Sequence, residues 1–142
     1  MAEPTTDDSP KFQMMHTMLR VRDLEKSIEF YTGILGMKLL RRMDFPDGRF
    51  TLAFIGYGSE ETHTVLELTY NYDQAKPYDL GDGYGHVALG VRDIHGVCAA
   101  LERAGANIPR KPGPMMHGTT EIAFIEDPDG YRVELIDLDT RD

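Results

Sequence analysis

His16-Thr-Met-Leu-Arg-Val-Arg-Asp-Leu24 is written a second time, 70 residues further on, as His86-Val-Ala-Leu-Gly-Val-Arg-Asp-Ile94. The same offset relates Ala53-Phe54-Ile55 to Ala123-Phe124-Ile125. Each copy then closes on an apolar stretch carrying one carboxylate, Val65-Leu66-Glu67-Leu68 in the first and Val133-Glu134-Leu135 in the second. The chain therefore reads as an internal duplication with one histidine and one glutamate in each copy. Two imidazoles and two carboxylates related by pseudo-symmetry make a divalent metal site the leading expectation.

Each copy reads the same way outward from its histidine. Alternation puts Thr17, Leu19 and Val21 on one face of a short strand and His16, Met18 and Arg20 on the other; Val87, Leu89 and Val91 oppose His86, Ala88 and Gly90 likewise. The apolar face must meet the core, so each histidine lies on the opposite face. A helix follows, with Asp23 or Asp93 as N-cap, Gly36 or Gly105 as left-handed stop, and an inward stripe. That stripe is Leu24, Ile28, Tyr31 and Leu35 in the first helix and Ile94, Val97, Cys98 and Leu101 in the second. Three strands complete each copy, over 37–43, 49–55 and 63–70, then over 107–111, 120–126 and 131–138, the last pair joined by the tight turn Asp127-Pro-Asp-Gly130. The expected class is α+β, two βαβββ modules over 14–71 and 86–142, a linker over 72–85 and a disordered tail over 1–13.

Composition bounds the function. A net charge of −9 over 142 residues argues against nucleic acid as a partner, and no apolar run approaches the length of a membrane span. The acidic start lacks the basic and apolar segments of a signal peptide, and the single cysteine fits a reducing compartment, so the expected location is the cytoplasm. Cys98 falls on the inward stripe of its helix and reads as a small buried hydrophobe rather than a nucleophile.

Glu67 shares its strand face with Val65, Thr69 and Asn71, and Glu134 shares its face with Arg132 and Ile136, both away from the helix-packed core. A carboxylate amid an apolar strand needs compensation, and a cation supplies it. A mixed nitrogen and oxygen set without thiolate suits Ni²⁺, Co²⁺, Zn²⁺, Mn²⁺ or Fe²⁺, and four protein donors leave an octahedral ion two open positions. His63, His95 and His117 read as exposed and uninvolved. The segment 111–118, rich in proline and glycine, reads as a mobile flap too irregular for a strand.

The quartet sits within a wider pattern: His16-Thr-Met-Leu-Arg-Val, Phe30-Tyr31, Leu35-Gly36-Met37, Leu66-Glu67-Leu68-Thr69-Tyr70-Asn71, Tyr84-Gly85-His86 and Glu126-Asp127-Pro128-Asp129-Gly130-Tyr131. From about residue 14 to the C-terminus this resembles bacterial glyoxalase I (lactoylglutathione lyase) of the vicinal oxygen chelate superfamily. The resemblance implies modules paired into cupped mixed sheets and a homodimer whose sites are shared, His16 and Glu67 of one chain meeting His86 and Glu134 of the other. It implies one divalent ion per site, Ni²⁺ first because the short form resembles the Ni²⁺/Co²⁺ class, with Zn²⁺ an alternative. The implied reaction isomerises the hemithioacetal of glutathione and methylglyoxal to S-D-lactoylglutathione through an enediolate held by the ion, with Glu134 as base and Glu67 as ligand and second catalytic carboxylate. Arg20 and Asn71 match positions that hold glutathione, His86 borders the substrate as well as the metal, and Arg110 and Lys111 are candidates to grip a glycyl carboxylate. An extradiol dioxygenase or a thiol transferase would use three ligands, which leaves Glu67 unexplained. A drug- or antibiotic-binding module would need no quartet.

Overall fold

The computed structural model describes residues 11–142, so most of the expected tail lies outside the described residues. The first module comprises β1 (His16–Arg20), α1 (Leu24–Glu29), a π-helical turn (Phe30–Ile34), β2 (Lys38–Phe45), β3 (Phe50–Gly56) and β4 (Val65–Asn71). The second comprises β5 (Val87–Val91), α2 (Ile94–Arg103), β6 (Asn107–Pro114), β7 (Glu121–Glu126) and β8 (Arg132–Asp137). Each module folds into a four-stranded sheet, ordered β1-β4-β3-β2 and β5-β8-β7-β6. The outer pairs β1·β4 and β5·β8 are parallel and the remaining pairs antiparallel, so both sheets are mixed, as a βαβββ unit requires. The α+β class and the doubled module follow the duplication. No helix among the described residues is long and apolar enough to cross a membrane.

The local signals act as their chemistry dictates. Asp23 accepts from the Lys26 amide and Asp93 from the Gly96 amide, capping the two helices. Gly36 and Gly105 end the helical segments at φ 74° and 90°, backbone that any β-carbon would strain. Leu19, Val21, Ile55, Leu66 and Leu68 from the first sheet and Ile125, Val133 and Leu135 from the second fill one continuous core, together with Ile94, Cys98 and Leu101 of α2. Removing the side chain of Leu68, wholly buried, would cost about 2–5 kcal/mol.

Two elements depart from the expected pattern. The first helix does not keep its 3.6-residue period: the Leu35 amide bonds back five residues to the Phe30 carbonyl at 3.1 Å. The widened turn lets Phe30 and Tyr31 both point inward, and Ser27 is buried as well, so the inward face is broader than the stripe Leu24, Ile28, Tyr31 and Leu35. The flap expected over 111–118 is shorter, because β6 continues to Pro114. It forms an edge of its sheet, pairs only with β7, and absorbs its prolines through register shifts between Asn107, Arg110 and Gly113. Only the turn beyond it remains, closed by the Gly118 amide on the Met115 carbonyl.

The modules are joined at the turn after β7. Asp127 accepts from the Tyr31 hydroxyl at 2.7 Å, Asp129 accepts from the Arg22 amide at 3.0 Å, and the Tyr131 hydroxyl donates to the Arg20 carbonyl at 2.8 Å. Burial pushes the Asp127 carboxyl up to about 6, against the opposing pull of the Tyr31 hydroxyl and the amides of Tyr131 and Asp129. Its folded value therefore exceeds its unfolded one, and its contribution to stability is full below pH 4 and is lost as pH rises through 6. An Asp127→Asn variant is expected to lose this component. Relative to wild type its unfolding free energy should rise between pH 4 and pH 7 by on the order of 2–3 kcal/mol. Chemical denaturation at a series of pH values checks this, and parallel curves for the two proteins would refute it.

Candidate metal centre

The two histidines stand at corresponding ends of the sheets, His16 opening β1 and His86 immediately before β5. The register places Glu67 opposite Met18 and Glu134 opposite Ala88, so each glutamate lies one side-chain step along the neighbouring strand from its histidine, on the same face. His16 Nε2 is 3.6 Å from Glu67 Oε2, and His86 Nε2 is 3.4 Å from Glu134 Oε1. Both glutamate side chains are 15% exposed, and among the described residues no hydrogen-bond donor satisfies either of them.

A third residue completes each pair. Phe54 is the register partner of Glu67 and Phe124 that of Glu134. The ring of His16 meets Phe54 edge-on at 5.4 Å between centroids, and His86 meets Phe124 at 5.3 Å. The two phenylalanines limit the tilt of the imidazoles. Their signal in the sequence was the repeated Ala-Phe-Ile, which taken alone reads as core.

The donor set fits a divalent cation. Two ligand atoms each about 2.1 Å from a shared ion lie about 3.0–3.4 Å apart, close to the observed imidazole-to-carboxylate separations, and partly desolvated carboxylates without donors call for positive charge. Yet the two pairs do not close on each other within the chain: among the described residues no three His, Cys, Asp or Glu side chains come together to hold an ion. Each module presents a two-donor half-site beside a sheet edge, β1 in one and β5 in the other.

Around the half-sites, Arg20 is exposed on the His16 face, and Asn71 lies on the Glu67 face with its amide donating to the Tyr78 hydroxyl at 3.2 Å. Arg110 faces Phe124, but its guanidinium is committed to the hairpin, donating to the carbonyls of Ile122 at 2.6 Å, Pro114 at 2.8 Å and Gly113 at 3.0 Å. Lys111 is turned elsewhere: its ammonium lies 3.8 Å from Glu102 of α2, on the helix-bearing side of the sheet, because alternation along β6 separates it from Arg110. His63, His95 and His117 are exposed, and His95 pairs with Glu121 at 2.8 Å. Cys98 is a free, buried thiol whose acidity is lowered by burial. A cleft of about 880 Å³ lies apart from both half-sites, between the start of α1, Tyr70, Tyr72, Tyr78 and the Pro128-Asp129 turn. Its size does not make it the reaction centre, since it contains neither histidine nor a carboxylate of the quartet.

Sequence and structure comparisons identify the family. Residues 13–135 match the family described as Glyoxalase/Bleomycin resistance protein/Dioxygenase superfamily. The lactoylglutathione lyase of Neisseria meningitidis serogroup A is 60% identical over 124 residues, which cover 87% of this chain and 89% of that protein. The structure of the trypanothione-dependent glyoxalase I of Leishmania major superposes with a TM-score of 0.80 at 45% identity, covering 92% of this chain and 89% of that one. Glyoxalase I of Zea mays superposes at 0.84 with 46% identity over 91% of this chain, which spans only 44% of the longer maize chain. A doubled βαβββ fold, a His/Glu pair in each module and relatives of this closeness place the chain in the Glyoxalase/Bleomycin resistance protein/Dioxygenase superfamily, among the lactoylglutathione lyase (glyoxalase I) enzymes.

Proposed function

We propose that the protein isomerises the hemithioacetal of methylglyoxal and glutathione to S-D-lactoylglutathione, in a site that two copies of the chain complete. The observation that carries this reading is the duplicated half-site, with His16 and Glu67 3.6 Å apart in one module and His86 and Glu134 3.4 Å apart in the other. A half-site with two donors holds a divalent ion poorly, whereas the first module of one copy and the second module of its partner supply four. A homodimer gives two such sites by symmetry. Ni²⁺ is the ion we assign, with Co²⁺ and Zn²⁺ as the alternatives. We place the enzyme in the cytoplasm, where an unpaired cysteine is at home.

The chemistry moves one proton between adjacent carbons. His16, Glu67, His86 and Glu134 would hold a divalent ion, whose positive charge would make the carbon-bound proton of the substrate acidic enough to move. Glu134 takes that proton on its carboxylate and delivers it to the adjacent carbon, so the acid formed in the first half of the reaction is consumed in the second. Glu67, equally shielded and equally placed beside its own histidine, serves as ligand and as the partner for the opposite hemithioacetal stereoisomer. Arg20 and Asn71, on the same face, hold the glutathione portion by charge and by the amide. Arg110 and Lys111 are both candidates for the glycyl carboxylate: the Arg110 guanidinium already donates to its hairpin carbonyls, and the exposed Lys111 ammonium lies 3.8 Å from Glu102.

The direct test follows thioester absorbance with methylglyoxal, glutathione and Ni²⁺. Formation of the thioester supports the reading, and none at micromolar enzyme would overturn it. Trypanothione in place of glutathione settles the thiol, since the Leishmania enzyme is described as dependent on it.

A further inference from the structure

The two half-sites are alike in His, Phe and Glu but are braced differently. In the first module, Glu60 on the β3–β4 connection accepts two hydrogen bonds from Arg41 of β2, Nε to Oε2 at 2.6 Å and Nη2 to Oε1 at 2.9 Å. The guanidinium carbon lies 3.9 Å from the centroid of Phe54, and the same ring meets His16 at 79°. Phe54 is buried, so it cannot turn away from either neighbour. A continuous line of contacts thus runs from Glu60 through Arg41 and Phe54 to His16, and from there to Glu67. In the second module, Arg110 stands opposite Phe124 as Arg41 stands opposite Phe54, yet it is spent on backbone carbonyls of its own hairpin.

We infer that Arg41 and Glu60 are positioning residues, a two-point strut that fixes Phe54 and, through it, the aim of the His16 imidazole. This rests on the reading of His16 and Glu67 as half of a metal site. A fork of two parallel hydrogen bonds sets the plane of the guanidinium, and a guanidinium lying flat on a ring restrains that ring by cation–π attraction. Arg41 is 45% exposed at its side chain and Glu60 23%, so the pair contributes little to global stability and its effect is local. The second half-site shows no matching guanidinium–carboxylate fork among the described residues, since Arg110 donates to the carbonyls of its own hairpin. The first half-site is therefore the one whose geometry side-chain substitution can tune without touching a ligand.

The test is Co²⁺ titration of the full chain after chelation has stripped it of metal, with visible absorption of the bound Co²⁺ as a second readout. Arg41→Gln and Glu60→Gln are each expected to weaken Co²⁺ binding by roughly 10-fold and to change the spectrum, since outer residues that orient ligands act on this scale. The double variant is expected to be no worse than either single one. Arg41→Lys keeps the charge and loses the fork, and is expected to resemble Arg41→Gln. Arg49→Gln breaks an equally bidentate pair with Asp73 and is expected to leave affinity and spectrum unchanged. Wild-type affinity and spectrum in both Arg41→Gln and Glu60→Gln would overturn the strut. So would opposite shifts in the two, with Arg41→Lys restoring the wild-type value, because bare electrostatics would then be the cause. His16→Ala in the same titration separates the two levels: if it binds Co²⁺ as tightly as wild type, the metal-site reading fails and not merely the strut.

Discussion

Glu134→Gln is expected to lower kcat by about 10²–10⁴-fold while thermal unfolding stays within a few degrees of wild type. The substitution preserves volume and keeps an oxygen toward His86, but an amide cannot accept and return a carbon-derived proton at neutral pH. The fold has little stake in the charge. The carboxylate lies beside His86 on the face opposite the core and accepts no hydrogen bond among the described residues, so its neutralisation removes a partly desolvated anion rather than a stabilising contact. Stopped-time thioester assays and a melting curve on one preparation check both halves. Near-wild-type kcat would remove Glu134 from the base role. Glu67→Gln provides the comparison, since a variant with the opposite preference between hemithioacetal stereoisomers would locate the second base.

Removal of metal is expected to have an effect at least as large. Chelation should reduce turnover by more than about a hundredfold, because without an ion the remaining carboxylates face a proton many orders of magnitude less acidic than themselves. Refilling with Ni²⁺ should restore more activity than refilling with Zn²⁺. The expected reason is coordination number: two imidazoles and two carboxylates would saturate a four-coordinate ion such as Zn²⁺, whereas an ion that prefers six ligands would keep room for substrate or water. Activity per bound metal, with the metal counted in the same sample, is the measurement. Equal or greater recovery with Zn²⁺ would contradict the Ni²⁺ assignment, and full activity after complete metal removal would contradict a metal-dependent reaction.

Much of this was legible in the sequence because the duplication allowed each signal to be read twice. His16 and Glu67 alone could sit on any solvated sheet face, but their recurrence at His86 and Glu134 marks a function common to both copies. Asp23, Asp93, Gly36 and Gly105 are local signals, complete within one turn of chain, and needed no tertiary information. The illegible parts depend on contacts distant in sequence. Ser27 is buried because its hydroxyl lies 3.4 Å from Asp129 of the other module, and the π turn brings Tyr31 to Asp127, neither of which a helical period reveals. Arg41 and Glu60 meet across a hairpin, and Arg110 and Lys111 are told apart only by the irregular register of β6. The site itself is less legible than its candidate donors, since among the described residues the two His/Glu pairs do not meet within one chain.

The shared site is therefore the claim on which the account turns, and mixing two inactive chains tests it. One chain carries His16→Ala with Glu67→Ala, the other His86→Ala with Glu134→Ala, and each should be inactive alone. If sites form between copies, the mixed dimer has one site with all four donors and one with none. A statistical mixture should then recover up to about a quarter of wild-type turnover and bind metal in proportion. No recovery of turnover or metal binding, in a sample where the mixed dimer is shown by mass to be present, would contradict it.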